Sequence, residues 1–313
     1  MQYRRLGTTD LNVSVVAMGG WAFGADPAVW GPVDDNESIA AIQRGLDLGI
    51  NLIDTSPTYG RGHSEEIIGK AIQGRRDHVL VATKCGLVRR NGNGTYVRCL
   101  RPESIRAECE QSLRRLRIET IDLYQIHRPD PDTPIVHTVE ALLRLRDEGK
   151  INVLGLCNFG CEGMSEARRL CAFHSLQTEL SLLERDARDD LLPYCREYSI
   201  GVLAYSVLTR GLLTGKYAAP RRFTDLRATD PRFSGEAFSR NLNLVQCLTA
   251  VARRVGCSVG QLAIRWAIQQ TGVTAAIVGV KRISQVDENA GAGDLNLPPE
   301  VMEEVDRLLA EQA

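Results

Sequence analysis

The sequence lacks any long apolar run and is poor in aromatic residues, with only 5% Phe, Trp and Tyr among 313 residues. No window approaches the roughly 18 consecutive apolar residues that a membrane helix requires. The first seven residues, MQYRRLG, also lack the apolar core of a secretory signal. We therefore expect a soluble protein that stays in the cytoplasm and has no membrane partner.

An excess of charge of one sign is also missing. The chain has 38 Lys and Arg against 39 Asp and Glu, for a formal net charge of -1. So weak an overall field attracts neither nucleic acid nor an anionic surface, and nucleic acid is not an expected partner. Any anion site must therefore be local, and protein partners stay unknown at this point.

The cysteines lack the arrangement of a disulfide framework or a metal site. There are nine, an odd number, and no two of them form a CxxC pair. This usage is typical of reduced thiols in a cytosolic compartment. Cys157 and Cys161 are the only close pair, and they are better explained as small buried hydrophobic residues than as metal ligands. We predict no metal site.

What the chain does have is an alternation of short, β-branched apolar runs with longer amphipathic stretches. This alternation indicates repeated βα units around a parallel sheet. Most of the runs are continuously apolar, as expected for strands covered on both faces. The eight candidate strands are Val13–Met18, Asn51–Asp54, Val79–Lys84, Ile121–Ile126, Ile151–Leu156, Ser175–Thr178, Gly201–Tyr205 and Ala275–Val278.

Eight βα units favour an α/β fold of the (β/α)8 TIM barrel type, although an open doubly wound sheet has the same local pattern. No Gly-x-Gly-x-x-Gly follows any candidate strand, which disfavours the open sheet. Residues 3–6 and 10–13 flank Gly7 and predict an N-terminal β-hairpin that closes one end of the barrel. No linker or repeat interrupts the chain. We therefore expect a single domain over residues 1–313, with extra C-terminal helices of which the last begins near Pro298.

Several helix and loop boundaries are predicted by local signals. Thr133 and Pro134 are expected as N-cap and first residue of a helix that ends before Gly149. Pro102 opens a helix to about Leu116. The stretch from residue 213 to about 240 is too long for a simple connector, so it is predicted to be a functional loop.

Polar residues at the ends of three consecutive strands are the candidates for chemistry, because barrel active sites lie at the carboxyl ends of the strands. Asp54 ends the second run, Tyr59 lies in the loop beyond it, Lys84 ends the third and His127 follows the fourth. Each alone is explained by a turn, a cap or a hydrated surface. Together they favour function, because burying Asp, Lys and His close to one another without purpose is costly.

The four side chains make chemical sense as a proton-donating group. A phenol has a pKa of about 10, and an adjacent ammonium lowers it by favouring the phenolate. Lys84 is expected to supply that ammonium, and Asp54 to keep it charged. His127 is expected to orient a substrate oxygen by a hydrogen bond or to share in proton delivery.

With these motifs the sequence resembles the aldo-keto reductases, nearly from end to end. The most specific segments are NLIDTSPTYG at 51–60 followed by Ser64 and Glu65, the strand ending in Lys84, and LYQIHRPD at 123–130. The resemblance implies a barrel that binds NADPH in extended form. It also implies that Asp54, Tyr59, Lys84 and His127 are the catalytic tetrad, with Tyr59 as general acid in the reduction of an aldehyde or ketone.

The same resemblance implies the nicotinamide site. Asn158 and Gln177 correspond to the pair that holds the carboxamide, and Tyr205 corresponds to the ring that stacks on the nicotinamide. Cys157 stands where the family usually has Ser, which weakens or removes one hydrogen bond.

Barrels frequently bind phosphate in the loops after the seventh and eighth strands. Segment 206–216 resembles the part of the family that takes the pyrophosphate, and 279–289 the part that holds adenosine and its 2′-phosphate. Lys281 and Arg282 at a helix N-terminus favour NADPH. Gln285 replaces a common Arg and leaves NADH as an alternative. The predicted contacts are Ser206, Leu208, Gly211, Lys216, Gly279, Lys281, Gln285, Glu288 and Asn289.

The substrate, expected to be a small carbonyl compound, leaves a weaker trace. Trp21 and Trp30 follow the first strand and either line the pocket or pack the loop. Arg128 lies beside His127, and together with the arginines of the third loop it either attracts an anionic or phosphorylated substrate or faces water.

Two other functions stay open. Lys84 at a strand end and a phosphate site also fit a Schiff-base aldolase, although Asp54 would keep the lysine protonated. Relatives that serve as regulatory, NADP-binding β subunits of potassium channels keep the same four residues, with slow or vestigial reductase activity.

Overall fold

The computed structural model describes residues 1–30, 33–90 and 95–311. Eight strands of this part of the chain close a parallel barrel in the ring order β3, β4, β5, β8, β9, β10, β11, β12, where strands are numbered along the chain. The predicted (β/α)8 TIM barrel is confirmed. The strands are β1 Tyr3–Arg5, β2 Asn12–Ser14, β3 Val16–Gly19, β4 Leu52–Asp54, β5 Leu80–Cys85, β6 Leu87–Arg89, β7 Tyr96–Arg98, β8 Ile121–Ile126, β9 Ile151–Cys157, β10 Ser175–Glu179, β11 Gly201–Tyr205 and β12 Val273–Gly279.

Helices alternate with the barrel strands and cover the outside of the barrel. Helices α8 and α11 pack against each other in addition to this alternation. No helix among the described residues is long and apolar enough to cross a membrane. The α-helices are α1 Pro27–Trp30, α2 Asp35–Asp47, α3 His63–Ala71, α4 Pro102–Leu116, α5 Ile135–Asp147, α6 Cys161–Arg168, α7 Leu191–Glu197, α8 Gly235–Arg254, α9 Val259–Gln269, α10 Ile283–Gly291 and α11 Pro299–Ala310.

The N-terminal hairpin is confirmed, but the barrel begins later than predicted. Strands β1 and β2 pair antiparallel, with Arg4 opposite Val13. The apolar run 13–18 predicts one barrel strand, yet Val13 belongs to the hairpin and the barrel strand starts at Val16. Leu6 and Val13 are fully buried in the apolar cluster that fills the barrel interior. The single apolar run is therefore divided between two strands, the second strand of the hairpin and the first strand of the barrel.

Two local predictions need correction. Thr133 is not the cap of α5, because its hydroxyl donates to Asp130 Oδ2 at 2.8 Å and the N-cap position falls on Pro134. The irregular stretch predicted from residue 213 to about 240 ends earlier, since α8 starts at Gly235. The part before α8 contains two short 3-10 turns, Leu226–Thr229 and Pro231–Phe233.

Side-chain alternation along the strands fixes what lies inside the barrel. Leu52, Ala82 and Leu123 occupy the interior cluster, whereas their neighbours belong to the core between strands and helices. Successive residues of a strand point to opposite faces, so every second residue continues along the barrel axis. Asp54 therefore follows Leu52 inward, and Lys84 follows Ala82. The two-residue alternation along β4 and β5 thus places the charged side chains of Asp54 and Lys84 inside the barrel at its carboxyl end.

Candidate active site

A buried ion pair lies at the centre of the carboxyl end of the barrel. The ammonium of Lys84 donates to both carboxylate oxygens of Asp54, at 2.8 and 2.7 Å, and to the carbonyl of Thr55 at 2.9 Å. The side chain of Lys84 is fully buried and that of Asp54 nearly so. Burial favours the neutral amine, but the attraction of Asp54 outweighs it and raises the pKa of Lys84 above its usual value. The predicted pairing of Lys84 with Asp54 is present in the structure.

Two buried amides also bind the Asp54 carboxylate. Gln177 Nε2 donates to Asp54 Oδ1 at 2.7 Å, and Gln125 Nε2 donates to the same oxygen at 3.2 Å. Gln125 is absent from the sequence-based set of site residues. The signal that locates it is the alternation along β8, because Leu123, Gln125 and His127 share one face of the strand.

Tyr59 faces the ion pair from the loop after β4. Its ring centroid is 5.3 Å from Lys84 Nζ and 6.4 Å from the ring of His127, which stands nearly perpendicular to it. The ring of Trp21 stacks on Tyr59 at 6.0 Å. The structure therefore brings the four residues of the predicted tetrad together at one mouth.

Burial determines the acidity of Tyr59. Removing the phenol from water raises its pKa to about 12, and the ammonium of Lys84 opposes this only in part. The net pKa therefore lies above the usual value of about 10, although Lys84 lowers it as expected. Lys84 acts in the predicted direction, but desolvation is the larger effect. Tyr59 consequently holds its proton throughout the neutral pH range.

His127 is a neutral imidazole in this environment. Burial lowers its pKa well below the usual value, and the positive charges of Lys84 and Arg128 lower it further. Its Nδ1 lies 3.3 Å from the hydroxyl of Ser56. When Ser56 donates this bond, the hydrogen of the neutral ring is on Nε2. His127 can then donate one hydrogen bond to a substrate oxygen without carrying charge.

The residues predicted to hold the nicotinamide are connected to one another. Tyr205 donates from its hydroxyl to Asn158 Oδ1 at 2.7 Å, and Asn158 Nδ2 donates to the His127 carbonyl at 3.1 Å. Cys157 is buried, with its sulfur 3.2 Å from Asn158 Nδ2 and 3.7 Å from Gln177 Oε1. Burial raises the pKa of the Cys157 thiol to about 12, so it is a neutral thiol.

Positive charges converge on the side where the phosphates are predicted. Burial and the nearby cations Arg227 and Lys281 lower the pKa of Lys216. Burial and Arg227 likewise lower the pKa of Lys281. Asp225 is the carboxylate of this group, and it accepts from Arg227 Nε at 2.8 Å. Arg227 is missing from the sequence-based set, since nothing local distinguishes it within the long stretch before α8.

The other predicted cofactor residues surround these cations. Ser206 has a left-handed backbone (φ 59°), and a Cβ on Gly211 would lie 2.8 Å from Lys216 Nζ, so only glycine lets that ammonium lie over the turn. Gln285 Oε1 accepts the backbone N–H of Lys281 at 2.8 Å.

The remaining four predicted cofactor residues are Leu208, Gly279, Glu288 and Asn289. A Cβ on Gly279 would meet no atom within 4 Å, so this backbone is open to a ligand. Leu208 packs partly buried against the core, Asn289 is buried, and Glu288 Oε1 accepts from Ser258 Oγ at 2.7 Å.

Of the predicted substrate residues, Trp21 contacts the ring of Tyr59 directly. Trp30 packs edge-on against Trp21 at 5.1 Å, and its carbonyl accepts from the ammonium of Lys281. Trp30 therefore connects a predicted substrate residue, Trp21, to a predicted phosphate residue, Lys281. Arg128 is exposed beside His127. No cluster of three or more metal-ligating side chains occurs among residues 1–30, 33–90 and 95–311.

Comparisons with known proteins agree with this geometry. The sequence model of the Aldo/keto reductase family matches residues 15–310. The aldo-keto reductase YhdN of Bacillus subtilis is 41% identical over 92% of this chain and 87% of its own length. The NADH-specific methylglyoxal reductase of Escherichia coli is 36% identical over 93% of each chain.

Solved structures share the fold at full length. The glycerol dehydrogenase AKR11B4 of Gluconobacter oxydans superposes with a TM-score of 0.92 at 40% identity, covering 100% of this chain and 96% of its own. An aldo/keto reductase of Klebsiella pneumoniae, in complex with NADP and acetate, superposes with a TM-score of 0.77 at 29% identity, covering 99% and 96%.

The neutrality of His127 is directly testable. Because its pKa is depressed in the folded protein, the ring takes up a proton only well below the usual value of about 6.5. In a histidine-labelled sample, long-range proton–nitrogen NMR spectra should still show neutral-ring nitrogen shifts for His127 at pH values where an ordinary imidazole is already protonated. The signal is assigned by its loss in His127→Asn. A titration midpoint near the usual value would contradict the assigned charge state.

Proposed function

The chain belongs to the Aldo/keto reductase family, and from this we propose that it reduces a small aldehyde or ketone with NADPH, using Tyr59 as the proton donor. The observation that carries the proposal is the buried contact of the Tyr59 ring with a lysine that is held charged by Asp54. Hydride transfer to a carbonyl leaves negative charge on oxygen. The site places a phenol and a fixed ammonium where that charge can be neutralised.

Tyr59 acts as an acid whose proton is released only when the substrate needs it. In the resting site the phenol is protonated, since its pKa is raised to about 12 by burial. As the substrate oxygen becomes negative it takes the phenolic proton, and the phenolate that forms lies beside the ammonium of Lys84. A preorganised charge of this kind stabilises the developing anion without reorientation of the protein.

His127 orients the carbonyl. A neutral imidazole that donates from Nε2 can bind the substrate oxygen from a second direction, at about a right angle to the ring of Tyr59. Two donors on one oxygen fix the carbonyl and withdraw electron density from its carbon. His127 therefore polarises the substrate, whereas Tyr59 delivers the proton.

The residues present fit a phosphorylated dinucleotide. Arg227 and Lys281 lie close enough to Lys216 to lower its pKa, Arg227 also lowers the pKa of Lys281, and a polyanion would relieve that repulsion. The open backbone at Gly279 gives such a ligand access. A bound nicotinamide cofactor supplies the hydride. Asn158, Gln177 and Tyr205 would hold its ring end, after exchanging some of their present bonds with protein groups.

Substitution of Tyr59 by Phe tests the proton donor. Tyr59→Phe should reduce carbonyl-dependent NADPH oxidation by about 10²–10⁴-fold, because the acid is removed while the ring remains. NADPH affinity, measured by fluorescence titration, should change little. Tyr96→Phe is the matched control, since its exposed hydroxyl donates to the Thr58 carbonyl at 3.3 Å without entering the tetrad. A Tyr59→Phe enzyme with nearly full activity would remove Tyr59 from this role.

The preference for NADPH over NADH rests on the same cations. The Escherichia coli relative is NADH-specific by name, whereas the Klebsiella pneumoniae structure contains NADP. In this chain Lys281 precedes the N-terminus of α10 and Arg227 approaches it from the loop before α8. Charged donors of this kind suit a 2′-phosphate better than a bare ribose. Gln285 adds no charge here, and its side-chain oxygen already accepts a backbone N–H.

Removal of a cation tests the cofactor preference. Lys281→Met and Arg227→Met should each weaken NADPH binding by about tenfold, as expected for the loss of one charge-assisted hydrogen bond. NADH binding should change much less, because NADH lacks the phosphate. Fluorescence titration with both cofactors measures the ratio, and Lys70→Met on the exposed face of α3 serves as control. Equal weakening of both cofactors would contradict the assigned 2′-phosphate site.

The substrate is proposed to be a short polar carbonyl compound. Relatives are named for methylglyoxal and for glycerol, both small and polar. Trp21 limits the room above Tyr59, and Arg128 places an exposed positive charge next to His127. We expect Arg128 to favour substrates that carry a carboxylate or phosphate near the carbonyl.

Two aldehydes of similar shape test Arg128. In the wild type, kcat/KM for para-carboxybenzaldehyde should fall as salt is raised, whereas kcat/KM for para-nitrobenzaldehyde should not, because salt screens exposed charges. Arg128→Met should lower kcat/KM of the carboxylate substrate alone and abolish its salt dependence. Loss of both substrates in parallel would show that Arg128 shapes the pocket rather than selecting charge.

The two alternative functions fare differently. A Schiff-base role for Lys84 is opposed by its three hydrogen bonds, which engage every hydrogen of the ammonium and leave no free electron pair for attack. A regulatory role would keep the same tetrad. Slow turnover across many carbonyl compounds, with tightly retained NADPH and a co-purifying partner, would favour it over reduction as the main activity.

A further inference from the structure

A second ion pair, with a fully buried carboxylate and a partly buried guanidinium, lies next to the tetrad. Glu65 on α3 is fully buried, and its Oε2 accepts from Arg115 Nε on α4 at 2.6 Å. Its other oxygen accepts from the hydroxyl of Thr83 at 2.7 Å. Thr83 directly precedes Lys84 on β5. One carboxylate therefore connects two helices to the strand that carries the lysine.

Arg115 also presses against the turn that carries Tyr59. That turn, Tyr59–Gly62, ends at Gly62, where a Cβ would lie 2.6 Å from both Cδ and Nε of Arg115. The arginine side chain thus occupies the space that any other residue at position 62 would need. The hydrogen bond to Glu65 fixes the position of the Arg115 side chain. The turn at Gly62 therefore packs against a side chain that the ion pair holds in place.

The opposite side of the turn is equally closed. A Cβ on Gly60 would lie 2.0 Å from the Gly24 carbonyl oxygen, and a Cβ on Gly24 would lie 2.6 Å from the Gly60 nitrogen. The turn is therefore held between the loop after β3 and the side chain of Arg115. Small changes on either side must move it.

The backbone of the turn needs this support. Gly60, Arg61 and Gly62 all have positive φ, at 58°, 59° and 94°. Arg61 pays a conformational cost there, because a residue with a Cβ rarely adopts the left-handed region. Such conformations persist only where the surroundings over-determine them.

From these contacts we infer that Glu65 and Arg115 are positioning residues that set Tyr59 against Lys84. Tyr59 is carried by the turn after β4 and Lys84 by β5, so their mutual placement depends on what connects the two elements. The carboxylate of Glu65 accepts a hydrogen bond from Thr83, the residue before Lys84. It also holds Arg115, which packs against the turn that carries Tyr59. This inference rests on the proposed role of Tyr59 as proton donor.

Stability alone does not account for a charged pair at this place. Buried ion pairs are often no more stabilising than well-packed apolar residues of similar volume. The charged pair adds a defined geometry, because the hydrogen bonds of Glu65 with Arg115 and Thr83 fix the angles between these side chains as well as their distances. Geometry matters for proton transfer, where a displacement of about 1 Å can cost about a hundredfold in rate.

Substitution of Arg115 separates positioning from stability. Arg115→Met should lower kcat for carbonyl reduction by at least about tenfold, with the dissociation constant of NADPH nearly unchanged. Arg115→Lys, which keeps the charge, should recover part of the loss. Arg106→Met is the matched control on the same helix, since Arg106 pairs with Glu148 at the surface. Single-turnover measurement of NADPH oxidation confirms that the chemical step has slowed.

Substitution of Gly62 provides a test that leaves the ion pair's charges intact. Gly62→Ala places a methyl group against Arg115 and should lower kcat in the same way as Arg115→Met. Gly74→Ala is its control, because Gly74 also has a positive φ (74°) but a Cβ there meets nothing within 4 Å. Both variants bear the same kind of backbone strain, which thermal unfolding measures. Only Gly62→Ala should lose activity beyond its loss of stability.

The outcomes keep the two hypotheses apart. If Arg115→Met and Gly62→Ala, corrected for the folded fraction, keep the wild-type kcat, the positioning role is overturned, whatever their melting temperatures. The same holds if Arg106→Met or Gly74→Ala lose as much activity as their partners. Tyr59→Phe is measured alongside, and its survival as an active enzyme would defeat the proposed function instead.

Discussion

The contact between Lys84 and Asp54 is the constraint around which the upper half of the barrel is arranged. Two opposite charges removed from water are tolerated only when hydrogen bonds satisfy both of them, and removing one partner of such a pair costs about 3–5 kcal/mol. Here the ammonium has three acceptors, and the carboxylate has two further amide donors in Gln177 and Gln125. The dry interior that makes the pair costly also strengthens its effect on Tyr59. Chemistry and folding therefore depend on the same bonds.

Desolvation acts on each titratable group of the site in a useful direction. It raises the pKa of Tyr59, which keeps the proton in place, and lowers that of His127, which keeps the imidazole neutral. Only Lys84 resists this trend, because Asp54 holds it charged. Under the proposed mechanism, a neutral acid, a neutral donor and the Lys84–Asp54 ion pair form a site with little net charge until hydride transfer creates an anion. The cations proposed to bind the cofactor, Lys216, Arg227 and Lys281, are at most partly buried and can remain hydrated.

Much of the site follows from spacing along the chain, and the rest does not. Alternation within a strand places Asp54 and Lys84 on the barrel axis, and the same rule applied to β8 locates Gln125 between Leu123 and His127. No such rule locates Arg227 from sequence. It reaches the predicted phosphate site from an irregular segment, and the path of that segment depends on packing. The net effect on the pKa of Tyr59 was also beyond spacing, since a neighbour's charge can be named from sequence but the depth of burial cannot.

The sequence by itself determined the repeated βα units and the identity of the four groups at the strand ends, because these depend on local periodicity and on residue type. The same pattern also fits an open sheet, and the closed barrel was favoured only by the missing Gly-x-Gly-x-x-Gly and by the family resemblance. The tertiary structure decided where Val13 leaves the hairpin, that Thr133 bonds to Asp130 instead of capping a helix, and that Glu65 meets Arg115 next to the site. Each of these is a choice among competing partners, which lie near in the chain for Thr133 and far apart for Glu65 and Arg115. A polar or apolar group satisfies its requirement with whichever partner the fold brings near, and that is settled only when the whole chain has packed.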